Sequence, residues 1–125
     1  MELRMHSATV VVSDYVPAYD FYVNKLGWEA VQDQPSPDGS RWLVVRRPGG
    51  ETGLAIVRVG DFGMNDAKPG DYSGISLVTP DVNQAYQELL AKGVTFSQPP
   101  QPMPWGTLGT WFSDPDGNSF FLTEE

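Results

Sequence analysis

The chain has no cysteine and a single histidine, His6, among 125 residues. The missing thiols exclude a disulfide framework, a thiolate zinc site, iron–sulfur ligation and a cysteine nucleophile. One imidazole excludes any site built on two. Basic residues are also scarce: 8 Lys and Arg stand against 16 Asp and Glu, for a net charge of −8. Nucleic acid and anionic membrane both require a basic footprint, so neither is an expected partner. No apolar run is long enough to cross a bilayer, and no leader pattern opens the chain. A soluble, cytoplasmic protein is expected.

What is present suits a folded domain. Hydrophobic residues make up 40% of the chain and aromatic ones 12%, enough apolar area to offset chain entropy. The length fits one domain that buries roughly two-thirds of its unfolded surface. The acid excess has two readings: a solvated, self-repelling surface, or a field that draws in a cation.

An internal repeat organises the sequence. Asp14, Ala18 and Tyr19 recur as Asp81, Ala85 and Tyr86, and Pro48 and Gly50 recur as Pro115 and Gly117, all 67 positions on. Lys25-Leu26-Gly27 matches Ala91-Lys92-Gly93 one residue out of step. Two copies are too few for a solenoid, and a duplicated α+β module explains them better.

Each copy follows one order. In the first, residues 8–12 read as a strand, Ser13 or Asp14 caps a helix, and Gly27 ends it. Tyr15, Ala18, Tyr19, Tyr22 and Leu26 give that helix one apolar face. Strands follow at 28–31, 41–46 and 54–59, with turns at 35–39 and 48–50. In the second copy a strand at 75–79 leads to a helix capped by Asp81, then to strands at 94–96, 108–112 and 120–123. Residues 99–104 carry four prolines, which bars helix or inner strand. The expected architecture is α+β, two β-α-β-β-β modules over residues 1–60 and 73–125, joined by a linker at 61–72.

These residues resemble the vicinal oxygen chelate superfamily, which includes glyoxalase I, extradiol dioxygenases and the fosfomycin and bleomycin resistance proteins. The markers are Val12-Ser13-Asp14, Phe21-Tyr22 and Leu26-Gly27-Trp28 in the first module. In the second they are Asp81-Val82, Lys92-Gly93-Val94, Pro104-Trp105-Gly106 and Asp114-Pro115-Asp116-Gly117-Asn118. The resemblance spans nearly the whole chain. It implies a single domain whose curled mixed sheets surround a cavity, and a homodimer.

In metal-using members, four cavity-facing side chains, usually His with Glu or Gln, hold a divalent ion. The resemblance places these positions at Ser7, Gly74 and Phe121, with Ala55 or Leu54 as the fourth. Period-2 alternation selects Ala55, because Leu54 and Ile56 share the core face. None of these side chains suits a divalent ion. His6 is one residue out of register and would need a bulge to turn inward. No metal, cofactor or catalytic residue is therefore expected.

The same alternation directs Trp42, Val44 and Arg46 to the cavity, with Ser76, Trp111 and Gly109, and also Thr9, Val11, Val78 and Ser119. Trp105, on the proline-rich loop, is placed to cover the mouth. The candidate ligand-binding set is Ser7, Trp42, Val44, Arg46, Ala55, Gly74, Ser76, Trp105, Trp111 and Phe121. Such a lining suits a flat or apolar small molecule, although the tryptophans would equally suit a core or a dimer contact. No nucleophile with its base and no phosphate loop is present.

The leading expectation is a metal-free binding protein similar to the bleomycin resistance proteins. It would sequester an aromatic or hydrophobic ligand, cationic ones included, such as an antibiotic. Two alternatives stand beside it: a metal-dependent glyoxalase- or dioxygenase-like enzyme, and a dimeric interaction protein with a filled cavity.

Overall fold

A computed structural model describes residues 1–125. The chain divides into two compact units, Met1–Pro69 and Gly70–Glu125. Each is a mixed sheet with one helical segment, and no barrel closes.

In the first unit, strand β1 (Ser7–Val12) leads to a helical segment, then to β2 (Glu29–Pro35), β3 (Arg41–Arg46) and β4 (Gly53–Arg58). The sheet order is β1-β4-β3-β2, with β1 parallel to β4 and the other pairs antiparallel. The helix begins at Asp14, whose carboxylate accepts from the Val16 amide at 2.9 Å. Of the two caps the sequence allowed, Asp14 is the one used. Helix α1 (Tyr15–Tyr19) then widens into a π-helical stretch over Asp20–Lys25. The Leu26 amide reaches back five residues to the Phe21 carbonyl at 2.9 Å.

This widening explains the slip in the repeat. Asp14 to Gly27 spans one residue more than Asp81 to Gly93, and a π-turn absorbs one extra residue without breaking the helix. Gly27 closes the segment at φ +76, where a side chain would be strained.

The face of the sheet toward the helix holds Val10, Val12, Leu43, Val45 and Ile56, all at most 4% exposed, with Ala18, Phe21 and Tyr22 packed over them. The opposite face carries Thr9, Val11, Trp42, Val44, Ala55 and Val57. Cross-strand register confirms this sorting, since Thr9 and Val44 both pair with Ala55, while Leu43 pairs with Ile56.

The second unit has the same plan. Strand β5 (Tyr72–Thr79) precedes α2 (Val82–Ala91), which Asp81 caps by accepting from the Gln84 amide at 3.0 Å. Then come β6 (Thr95–Phe96), β7 (Gln101–Pro102), β8 (Leu108–Ser113) and β9 (Ser119–Glu124). The order is β5-β9-β8-β6, with β5 parallel to β9 and β7 paired to β8. Within the proline-rich stretch only two residues pair as a strand, at an edge, as the missing amide donors require. An aromatic chain fills the helix side: Tyr86 meets Phe96, Phe96 meets Phe112, and Phe112 stacks on Phe120 with centroids 5.4 Å apart.

Candidate functional site

In each unit, the sheet face turned away from the helix carries the candidate residues. On the first, Val44 and Ala55 are directly opposed and form one buried cluster with Val57. Trp42, half-buried, packs against that cluster, and its indole N–H donates to the Gln32 Oε1 at 2.9 Å. Ser7 stands two pairs along the strand from Ala55, opposite Gly53. Its hydroxyl lies 3.0 Å from the His6 Nδ1, and His6 itself is exposed.

Arg46 sits apart from this cluster. It borders an open groove of about 590 Å³, lined also by residues 2–6, Gly50 and Glu51. This mixed acidic and basic groove is formed largely by the exposed N-terminal segment.

On the second unit the predicted aromatic residues come together. Phe121 lies between two tryptophans, its centroid 4.8 Å from Trp111 and 6.0 Å from Trp105. Register explains the first contact, because Trp111 and Phe121 are cross-strand partners, as are Ser76 and Phe121. Trp105 comes from the β7–β8 turn, closed by the Met103 amide on the Thr107 carbonyl at 2.8 Å. Its indole N–H donates to the Thr107 hydroxyl at 2.7 Å, so the ring is held although 64% exposed.

Gly109 makes this packing possible. A Cβ there would lie 2.8 Å from two ring carbons of Phe121 and 2.9 Å from the Met103 Cγ. Ser76 and Val78 are exposed beside the aromatic group, and no charged side chain belongs to this face of β5, β8 or β9.

Gly74 is not brought to the aromatic group. It lies in an irregular part of β5, which advances from Tyr72 to Ser76 while β9 advances from Ser119 to Phe121. The Ser73 hydroxyl stitches this bulge, donating to the Ser119 carbonyl at 2.7 Å and accepting from the Ile75 amide at 3.1 Å.

The metal positions do not fit a metal. Ala55 and Gly74 offer no donor, Ser7 offers one neutral hydroxyl bonded to His6, and Phe121 fills its place with an aromatic ring. No three His, Cys, Asp or Glu side chains gather where they could hold an ion.

Sequence reasoning missed several contributors. Gln32 and Thr107 orient the tryptophans, and Met103 shares with Phe121 the space over Gly109. Phe62 and Met64 lie in the expected linker yet pack on the first sheet: Phe62 meets Trp42 edge-on at 5.6 Å, and Met64 joins the Val44–Ala55–Val57 cluster. Two large apolar residues within a stretch of Gly, Asp and Pro were the available signal.

The first unit also has an ionic network on its outer side. Tyr15 donates to Asp61 at 2.6 Å, and Arg58 reaches both oxygens of the same carboxylate. Burial and the bond to Asp61 push the Tyr15 hydroxyl above its ordinary pKa. Arg41 clasps Asp33 with two bonds of 2.6 and 2.7 Å, which holds that carboxyl below its usual range.

Comparison with known proteins agrees with this architecture. The profile of the Glyoxalase/Bleomycin resistance protein/Dioxygenase superfamily matches residues 4–122. A superfamily member from Sphaerobacter thermophilus is 50% identical, with a TM-score of 0.90 over 99% of this chain and 98% of its own. TnmS3, described as an antibiotic binding protein from Streptomyces sp. CB03234, is 34% identical, with a TM-score of 0.81 over 98% and 96%. The uncharacterized Bacillus subtilis protein YetH is 31% identical over 97% of this chain and 98% of its own. The chain belongs to the Glyoxalase/Bleomycin resistance protein/Dioxygenase superfamily.

Proposed function

We propose that the protein is a metal-free binding protein that sequesters a flat aromatic or hydrophobic small molecule, cationic antibiotics included, without transforming it. The observation that carries the reading is the group Trp105, Phe121 and Trp111: rings held at fixed angles on an uncharged sheet face, one of them largely open to solvent. Oriented aromatic rings supply contact area and stacking at little entropic cost. TnmS3 supports this direction, because it shares the fold and is described as binding an antibiotic.

The candidate residues are proposed unit by unit: Ser76, Trp105, Trp111 and Phe121 on the second, with Trp111 and Phe121 as the stacking centre, and Ser7, Trp42, Val44 and Ala55 on the first, while Arg46 and Gly74 stand outside these groups. Ser76 is the polar group beside the stacking centre, and Ser7 is the one on the first unit's face. The four family metal positions offer a single neutral hydroxyl, that of Ser7, which argues against glyoxalase-like chemistry. We place the protein in the cytoplasm as a homodimer. Light scattering at micromolar concentration should give about twice the chain mass of 13.8 kDa; a monomer would contradict the dimer.

Titration of the intrinsic tryptophan fluorescence with a panel of cationic and neutral flat aromatic drugs tests the binding reading. Quenching that saturates, and that Trp111→Ala removes, is expected. No response to any compound would sink it. A second reading, a dimeric interaction protein with a filled cavity, draws on Met64, which already covers part of the first sheet. It expects no ligand-dependent change in melting temperature.

A further inference from the structure

Residues 60–67 fold back over the first sheet. We propose that this segment is a latched strap that occupies the apolar face at Val44, Ala55 and Val57 and yields that face to a flat apolar ligand. The proposal rests on the binding reading above and adds to it the residues that control access.

The strap touches the sheet through side chains. Met64 packs on the Val44–Ala55–Val57 cluster, and the Phe62 ring meets Trp42 edge-on. Its backbone bonds run within the strap: the Gly60 amide to the Met64 carbonyl, the Met64 amide to Asp61, and the Ala67 amide to Met64. Lifting it therefore breaks no sheet ladder and leaves no backbone group newly unpaired. Trp42 keeps its orientation without the strap, because Gln32 holds its indole N–H.

The closed position is strained and held. Phe62 is the only non-glycine residue with positive φ, at φ 50 and ψ 36. A bulky residue stays in that region only where its surroundings over-determine it. Here they do so from one side: Asp61, its neighbour, is gripped by the buried Tyr15 hydroxyl and by Arg58. Gly60 and Gly63 flank the strained residue and turn freely. On the sheet side the plug is a methionine, an unbranched side chain that gives way more readily than a branched one. Strain, glycine pivots, one latch and a soft plug make an element with two arrangements, which a ligand can bias by preferring one of them.

Two measurements on the full chain decide this. Amide hydrogen exchange of residues 60–67 reports the latch. Tyr15→Phe removes the hydroxyl, and those amides should exchange about tenfold faster while the amides of residues 42–46 and of β4 keep their rates; the Arg41 amide, which donates to the same hydroxyl at 3.3 Å, should also speed up. Asp61→Ala, which leaves the buried tyrosine in place, carries the same expectation. Titration with N-phenyl-1-naphthylamine, a neutral flat aromatic dye, reports the face: Met64→Ala should tighten its binding about fivefold or more. Unchanged exchange in both latch variants overturns the strap, as does dye binding that Met64→Ala fails to tighten. Trp111→Ala separates the two readings. If it abolishes binding of the drug panel while Met64→Ala does nothing, the aromatic site stands and the strap falls. The converse result discards the aromatic site and keeps the strap.

Discussion

Phe121 and Gly109 are a matched pair. The ring lies over a backbone that has no Cβ, and Trp105 and Trp111 pack around the ring's other edges. Gly109→Ala should destabilise the chain by about 1–3 kcal/mol in urea unfolding, because the methyl has to displace a ring clamped between neighbours. The alternation of strand residues was enough to put Trp42, Val44, Trp111 and Phe121 on the faces where they stand. It could not show that Gly109 is there to admit a ring, since an unoccupied Cβ has meaning only once the opposing atoms are known. The Arg41–Asp33 clasp gives a pH-dependent prediction at the same scale. Asp33 has a lowered folded pKa, so its stabilisation is present above the unfolded value of about 3.9 and is lost as pH falls through the folded one. The pair is partly solvated, so Asp33→Asn should cost no more than about 1 kcal/mol at pH 7. As pH falls through the lowered folded value the cost should vanish. An equal cost above and below that value would disprove the ionic origin.

At the scale of elements, the two helices show how much a repeat can report. Both begin at an aspartate that bonds an amide of its own first turn. Asp81→Ala should therefore lower stability by about 1 kcal/mol in chemical denaturation. The one-residue slip between Lys25-Leu26-Gly27 and Ala91-Lys92-Gly93 was visible in the sequence, but its consequence was not. An extra residue can loop out, bulge a strand or widen a helix, and only the packing of Phe21 and Tyr22 into the core selects the π-turn, because looping out would swing them off the sheet. Strand β2 runs to Pro35, beyond the sequence reading at 31, because pairing with β3 carries it past the local pattern. Its residues 31–35 are exposed, so they bear no alternation from which a strand could be read. The segment after β4 is the larger departure. Its glycines, aspartates and one proline suit a linker, yet Asp61, Phe62 and Met64 bind it to the first unit.

For the whole molecule, the excess of acid and the absence of thiols still bound what the protein can do. A ligand bound only by the folded chain at 100 times its Kd should raise stability by about 2.7 kcal/mol. Differential scanning fluorimetry with a ligand from the fluorescence panel checks this, and an unchanged melting temperature at saturation would argue against specific binding. Addition of divalent metal should leave the melting temperature where it was, since the four family positions present a hydroxyl, a methyl, a hydrogen and a phenyl ring. By itself the sequence determined the duplicated α+β plan, the Asp81 cap, the faces of the strands and the side chains at the four family metal positions. Each of these follows from local rules: pleat alternation, capping chemistry, and the identity of a side chain at a counted position. Only the tertiary structure decided that Trp105 and Trp111 converge on Phe121, that Gln32 and Thr107 orient the indoles, and that Met64 lies on the first sheet. All but the Trp105–Thr107 bond join residues on different elements, and every one depends on sheet register or turn geometry, which local sequence patterns do not encode.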